Sequence, residues 1–127
     1  LIKAAKAYGS MVYTVDNPAL SDFILPAVAH IGDVKIAVST SGRSPAMAHV
    51  LRERIEKLVT PQDLLEIELQ EKCRIQLKQQ IADPKVRSKT LYDILNDVNI
   101  KAALAKGNMV EAEKYALQLI NKGEKKQ

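Results

Sequence analysis

The segment "FILPAVAHIGDVKIAVST", residues 23–40, decides how the chain folds. Its two apolar runs are separated only by Gly32 and Asp33, a two-residue loop suited to a β-hairpin. Because Pro26 lacks an amide hydrogen, its strand is expected to lie at an edge or to carry a bulge. Such an edge needs cover, either from a helix of the same chain or from a second subunit in a homodimer. The predicted strands are Phe23–Ile31 and Val34–Thr40.

The turn "STSGRSP" that follows joins the second strand to a helical pattern. Ser44 is a typical N-cap and Pro45 suits the first helical position. A strand that runs into such a turn directs backbone amides and a positive helix end toward a ligand, and Arg43 adds a charge suited to carboxylate or phosphate. We therefore predict an anion site here, with a simple helix cap as the alternative. The candidate residues are Thr40, Ser41, Gly42, Arg43 and Ser44.

Upstream of the hairpin, the chain reads as a short helix ending at Gly9, followed by a strand over Met11–Val15. This order is typical of an open α/β sheet, in which ligands bind beyond the carboxyl ends of the strands. Asp16 occupies that position and could act as an acceptor, a base or a hard metal ligand. An Asx-turn in "DNP" is the alternative.

Everything after Ser44 has helical periodicity, so the sequence predicts an α+β protein. Thr60 and Asp63 have the spacing of a capping box, and the helix that they start should end before Pro84. A further helix is predicted over Lys89–Lys106, and a last one is capped by Asn108 with Glu111. Predicted inward-facing side chains include Met47, Val50, Leu51, Ile55 and Leu58, then Leu64, Leu65, Ile67, Leu69, Ile75, Leu77 and Ile81, and finally Val110, Tyr115, Leu119 and Ile120.

Composition narrows the class of protein. A net charge of +4 favours an anionic partner, whereas an aromatic fraction of 4% argues against stacking on nucleic acid. No apolar run approaches the ~20 residues that span a bilayer, and no signal-peptide pattern opens the chain. With one cysteine, Cys73, the sequence fits a reducing cytoplasm. The start at Leu1, inside a helical pattern, suggests a piece of a longer protein.

Several residues that often carry chemistry are expected to carry none here. Cys73 lies in a helical pattern and is expected to be buried or inert. His30 and His49 have no metal-ligand spacing between them, so each is expected to be a surface or satisfied histidine rather than a ligand, and the sequence leaves a metal site undetermined. Lys35, His49 and Arg52 could extend a basic rim. The glycines form neither a dinucleotide fingerprint nor a P-loop, so the chain alone should not bind NAD.

The stretch "VYTVDNPALSDFILPAVAHIGDVKIAVSTSGRSPAMAHVLRERIEKL", residues 12–58, resembles the siroheme synthase family of precorrin-2 dehydrogenases and sirohydrochlorin ferrochelatases. The strand-end "VD", then "P", "DFILPA", "GD", "IAVST", "G", "SPA" and "LRE" occur in the order and spacing of that family. The resemblance implies that residues 1–20 end a Rossmann-type NAD-binding domain. It makes residues 21–59 a dimerisation hairpin with its following helix, and residues 60–127 a C-terminal bundle of about four helices.

The resemblance also implies an activity. Members oxidise precorrin-2 to sirohydrochlorin with NAD, and some then insert ferrous iron. The aspartate implicated in proton handling falls on Asp16, and the hydroxyl that lines the tetrapyrrole cleft falls on Thr40. The turn with Arg43 would then hold acidic arms of the tetrapyrrole. The chain alone, without the glycine-rich NAD loop, is expected to be inactive.

Two positions depart from the family pattern. Members usually have a second glycine where this chain has Ser41, which argues against a left-handed backbone there. They usually have asparagine where this chain has Tyr13, so an amide contact is not expected at that position.

Two other functions fit parts of the sequence. "VSTSGRS" also resembles the "SxSGxT" phosphosugar loop of sugar isomerase domains, although that fold needs a parallel strand before the loop. A non-catalytic dimerising module that binds a partner protein is the third possibility.

Overall fold

A computed structural model, which describes residues 1–125, confirms the α+β class. Its described residues form a two-stranded antiparallel hairpin and six α-helices, and they divide into a first unit, Leu1–Val59, and a second unit from Thr60 onward. No helix in this part of the chain has the length and apolar character needed to cross a bilayer. The elements are α1 (Ile2–Ala7), a short 3-10 helix (Pro18–Leu20), β1 (Ala27–Ile31), β2 (Val34–Val38), α2 (Pro45–Glu56), α3 (Pro61–Gln80), α4 (Pro84–Asn96), α5 (Val98–Ala105) and α6 (Met109–Glu124).

The hairpin forms around the predicted two-residue loop. Ile31 pairs with Val34, and Gly32 takes a positive φ of 54° that a glycine adopts without steric cost. The strands are shorter than predicted, because the ladder begins only after Pro26 and ends at Val38. One face, which includes the buried Ala27 and Ala29, packs against α2.

The predicted strand over Met11–Val15 is wrong. The segment is irregular, because the hairpin ladder joins only β1 and β2 and no described strand pairs with it. Its backbone bonds instead to two polar side chains: the Val12 amide donates to the Asp22 carboxylate (2.8 Å), and the Thr14 amide donates to the Ser21 hydroxyl (2.8 Å). The Asp22 amide donates in return to the Val12 carbonyl (2.8 Å). Short side chains thus replace the missing strand.

Helix α2 begins as predicted but packs through a different face. The Ser44 hydroxyl accepts the Met47 amide (3.2 Å), and Pro45 is the first helical residue. The buried residue is the small Ala48, so the helix lies close to the hairpin. The predicted apolar face is largely wrong, since Leu51 is half-buried but the others are exposed: Met47, Val50, Ile55 and Leu58.

Helix α3 opens with the predicted capping box. The Thr60 hydroxyl accepts the Asp63 amide (3.3 Å), while the Thr60 amide donates to the Asp63 carboxylate (2.6 Å). The Thr60 amide and the Thr60 hydroxyl (2.7 Å) both donate to this carboxylate, which favours its ionised form and lowers the pKa of Asp63. The helix ends before Pro84, and the Arg87 guanidinium donates to the carbonyls of Ile81 (2.8 Å) and Ala82 (2.7 Å).

The single helix predicted over Lys89–Lys106 is wrong, because the chain breaks at Asp97. Asp97 has extended backbone angles, and its carboxylate accepts the amides of Asn99 (2.9 Å) and Ile100 (3.0 Å). One aspartate therefore ends α4 and caps α5. The next junction follows the prediction, since the Asn108 side chain accepts the Glu111 amide (3.1 Å).

The core of the second unit consists of large aliphatic side chains from all four of its described helices. Cys73 lies among them as expected, and burial raises the pKa of its thiol to about 11. Gly123 of α6 marks a close approach, because a Cβ there would lie 2.9 Å from the Thr90 hydroxyl. The expected inward positions Ile67, Ile75 and Val110 are exposed. The most deeply buried side chains are Leu69, Leu77, Ile81, Ile94, Ile100, Leu104 and Ile120.

Candidate functional site

The first unit contains a cavity of about 380 Å³, at the small end of the usual range for ligand pockets. Segments 13–18, 21–28, 38–42 and 45–49 contribute its lining residues. Most of the wall is aliphatic, and its polar groups are the side chains of Thr14, Ser21, Ser39, Thr40 and His49, with the phenol of Tyr13. This wall suits a ligand with an apolar face and a few polar substituents.

The turn after β2 supplies one part of this wall. Thr40 and Gly42 line the cavity, and the Arg43 amide donates to the Thr40 carbonyl (3.1 Å) to close the turn. The Thr40 hydroxyl donates to the Ser44 carbonyl (3.0 Å) and accepts the Ser44 amide (3.1 Å). Thr40 therefore ties the turn to the start of α2.

The backbone at Ser41 contradicts the expectation drawn from its side chain. Ser41 has φ 55° and Gly42 has φ 76°, so both central residues of the turn are left-handed, as in a type I′ turn. For a residue with a Cβ this conformation costs about 1–2 kcal/mol. A left-handed backbone is thus present at Ser41 without a glycine, and the hydrogen bonds around Thr40 maintain it.

The expectation of free amides at this turn is only partly met. The Ser41 amide donates to the Ser39 hydroxyl (3.2 Å), and the amides of Arg43, Ser44 and Met47 also have partners within the turn. The exposed Arg43 side chain has no carboxylate within ion-pair distance among residues 1–125. Any attraction of an anion here therefore depends on Arg43 more than on the helix end.

Asp16 is not part of the wall but follows Val15, which is. Its carboxylate is exposed and makes no hydrogen bond or ion pair to any described residue. Asp22 differs, because its carboxylate accepts the Val12 amide and lies 3.9 Å from the Lys6 ammonium. Asp22 therefore stabilises the irregular segment 11–15, whereas the Asp16 carboxylate makes no such contact. Ser41, Arg43 and Ser44 likewise lie beside the lining residues without joining them.

Two wall residues lie outside the predicted site residues, although the sequence placed His49 in a basic rim. Tyr13 lines the cavity and stacks on Phe23, with ring centroids 5.5 Å apart and an interplanar angle of 25°. His49 lines it from α2, on the same helical face as Pro45 and Ala48. The spacing of Pro45, Ala48 and His49 (i, i+3, i+4) places them on one face of the helix. The sequence does not show that this face is directed toward the cavity until Ala48 is known to be buried.

The predicted basic rim is partly wrong. Arg52 forms ion pairs with Glu56 and Glu53, and its charge is therefore balanced locally. Lys35 is opposite the exposed His30 in the hairpin register. Within residues 1–125, no group of three or more histidine, cysteine, aspartate or glutamate side chains is arranged to hold a metal ion.

The residues of this unit do not fit NAD. A dinucleotide site needs a glycine-rich turn between a parallel strand and a helix whose amides face the pyrophosphate. Here β2 is antiparallel to β1, and most amides of the following turn are already bonded within it.

Known proteins to which this chain is similar belong to siroheme biosynthesis. The family model for the central part of sirohaem biosynthesis proteins matches residues 32–58, from the hairpin loop to the end of α2. A precorrin-2 dehydrogenase of Methanosarcina barkeri is 34% identical over 99 residues, which cover 77% of this chain and 44% of that protein. A siroheme synthase of Methylococcus capsulatus is 35% identical over 115 residues, or 91% of this chain and 24% of that protein.

A third relative has a higher identity over a shorter part of the chain. A siroheme synthase of Gluconacetobacter diazotrophicus is 49% identical over 55 residues, which are 43% of this chain and 12% of that protein. In each of these alignments the chain spans less than half the length of its relative. The matched central part, the named relatives and the motifs of residues 12–58 agree, and the chain belongs to the siroheme synthase family.

Proposed function

We propose that this chain is the tetrapyrrole-binding part of an enzyme that oxidises precorrin-2 to sirohydrochlorin with NAD. The names of the relatives support a role in siroheme biosynthesis, and the cavity of the first unit supports the assignment of the binding site. The observation that carries the proposal is the composition of that wall. Aliphatic groups from β1, β2 and α2 would cover the ring, while hydroxyl groups contact its polar arms.

Charged residues beside the wall are assigned the remaining roles. Arg43 would pair with a carboxylate arm, since its guanidinium can bind a carboxylate with two parallel hydrogen bonds. Asp16 would accept the proton that the ring loses when a hydride is removed from it. The described residues do not fit NAD, so the proposal assigns NAD binding to residues outside them.

Insertion of ferrous iron into sirohydrochlorin is proposed as a second reaction at the same cavity. Iron would enter as a substrate, and a carboxylate oxygen is a suitable transient ligand for it. Asp16 is exposed, follows a lining residue and has no described partner, which favours it for this role over Asp22.

A homodimer through the first unit is part of the proposal. The exposed hairpin face opposite the buried Ala27 and Ala29 carries the cross-strand pairs Val28–Ala37 and His30–Lys35, and Val28 also lines the cavity. Many other apolar side chains of this unit are exposed too, as expected of a surface that a partner covers. Sedimentation velocity on the chain and on an Ala37→Asp variant tests this, because a buried unpaired carboxylate should shift the dimer to monomer. A monomeric wild-type chain at high micromolar concentration would contradict it.

The enzymatic proposal is tested on the complete gene product with precorrin-2 and NAD, by following the absorption of sirohydrochlorin. We expect turnover by the wild type and a loss of at least about a hundredfold with Asp16→Asn, the usual size of a general-base contribution. Asp33→Asn, in the exposed hairpin loop, is the matched control and should retain full activity. The proposal is contradicted if the wild type shows no turnover, or if the Asp16→Asn variant is as active as the wild type.

The same assay separates the other two functions. A phosphosugar loop needs a parallel strand before it, and β2 is antiparallel. A non-catalytic module would leave precorrin-2 unchanged.

A further inference from the structure

We propose that Tyr13 and His49 contact the ligand directly and make this cavity selective for a flat ring that carries carboxylate arms. The inference deepens the proposed function and rests on it. It concerns Tyr13, for which no amide contact was expected, and His49, which the sequence placed only in a basic rim, and it follows from their places in the wall.

Tyr13 offers a supported aromatic surface. It lines the cavity and is 40% exposed, while Phe23 stacks on it at 5.5 Å and 25°. The backing ring restricts the orientations of Tyr13, so less conformational freedom is lost when a ligand stacks on its other side. The neighbouring amides of Val12 and Thr14 are bonded to Asp22 and Ser21, which holds the backbone on both sides of Tyr13. The segment therefore presents this ring in a defined position.

His49 supplies the charge-bearing donor of the wall. Arginine and lysine are absent from the described lining residues, so His49 is the one lining side chain there that can be cationic. Its imidazole carries an N–H donor in either protonation state and can bind a carboxylate. His49 makes no hydrogen bond or ion pair to any described residue, in contrast to Arg52 one turn farther along α2, which is paired with Glu56.

Together the two side chains complement two parts of one ligand. The aromatic face of Tyr13 and the aliphatic wall favour a flat apolar surface, whereas His49 favours an anionic arm. A small anion such as phosphate would use only His49, and a neutral flat ring only Tyr13. A flat polycarboxylate uses both.

Uroporphyrin, a flat ring with eight carboxylates, is the probe, and its fluorescence reports binding to the 127-residue chain. We expect Tyr13→Leu to weaken binding about fivefold, the loss typical of one stacking contact. His49→Ala should weaken it about tenfold, as for one hydrogen bond to a charged group. Tyr13→Phe and His49→Gln, which keep the ring and an N–H donor, should restore most of the affinity.

The chain provides matched controls outside the cavity wall. Tyr8→Leu removes a tyrosine that is 88% exposed, and Lys57→Ala removes an exposed cation just after the end of α2, outside the cavity wall. The Tyr8 and Lys57 controls should bind uroporphyrin like the wild type, and circular dichroism should show all six variants folded.

The outcomes separate this inference from the proposed function. Weaker binding in Tyr13→Leu and His49→Ala, with unchanged controls, supports it. Wild-type binding that neither substitution alters overturns the inference and leaves the tetrapyrrole site intact. A wild-type chain that does not bind uroporphyrin overturns both the inference and the proposed binding site.

Discussion

The two units of this chain bury very different side chains. In the second unit, leucine and isoleucine residues from four helices are almost completely buried, and the thiol of Cys73 is buried with them. In the first unit the buried residues are three alanines: Ala27, Ala29 and Ala48. Most of the exposed large apolar side chains also belong to the first unit, among them Met11, Val15, Leu25 and Leu58.

This contrast assigns different tasks to the two regions. Buried aliphatic area is the main source of folding free energy, so the second unit is built for stability. The first unit places its apolar groups around a cavity and on open faces, where a ligand or a second subunit would cover them. Its local order comes largely from hydrogen bonds to short side chains such as Thr40, Ser21 and Asp22.

The largest expected effect tests this contrast with one kind of substitution. Ile94→Ala removes a side chain that is 1% exposed in α4 and should cost about 2–5 kcal/mol of unfolding free energy. Ile55→Ala removes the same atoms from α2, where the side chain is 37% exposed, and should cost less than about 1 kcal/mol. Urea unfolding followed by circular dichroism measures both. Equal costs would show that the first unit has a comparable core.

A smaller effect is expected at the turn of the first unit. A Cβ at Gly42 would lie 3.2 Å from the Pro18 Cβ, and its φ of +76° disfavours a side chain. Gly42→Ala should therefore cost about 1–3 kcal/mol and weaken uroporphyrin binding, because Pro18 also lines the cavity. Thermal unfolding and the fluorescence titration measure the two effects.

Gly9→Ala is the control for that substitution. Gly9 has a similar φ of +69°, yet no described atom lies within 4 Å of a Cβ built there. It should lose only the conformational part of the stability and none of the affinity. If Gly9→Ala weakens binding as much as Gly42→Ala, the contact with Pro18 is not what shapes the cavity.

Structural features that depend only on a few adjacent residues could be predicted from the sequence. The capping box of Thr60 and Asp63, the N-cap at Ser44 and the two-residue hairpin loop were all predicted correctly, because each is a local hydrogen-bonding pattern. The break at Asp97 had the same kind of signal. It was missed because the apolar periodicity continues across it.

Features that depend on distant partners could not be predicted in the same way. The run Met11–Val15 has the composition of a strand, but a strand also needs a neighbour, and in the described residues Ser21 and Asp22 take that place. At the site, Thr40 and Gly42 were named and lie in the wall, whereas Asp16 and Arg43 lie beside it and their roles stay predictions. Tyr13 becomes a candidate, and His49 becomes more than part of a basic rim, only when four segments of the chain meet at one cavity.

The glycine in the last helix limits how this protein can be engineered. Replacing a helical glycine by alanine normally raises helix propensity and is a common step in thermostabilisation. At Gly123 the added methyl group would lie 2.9 Å from the Thr90 hydroxyl, which itself donates to the Val86 carbonyl. A library of variants ranked by helix propensity alone would favour alanine at this position. The spacing between α4 and α6, however, depends on the absence of a methyl group there.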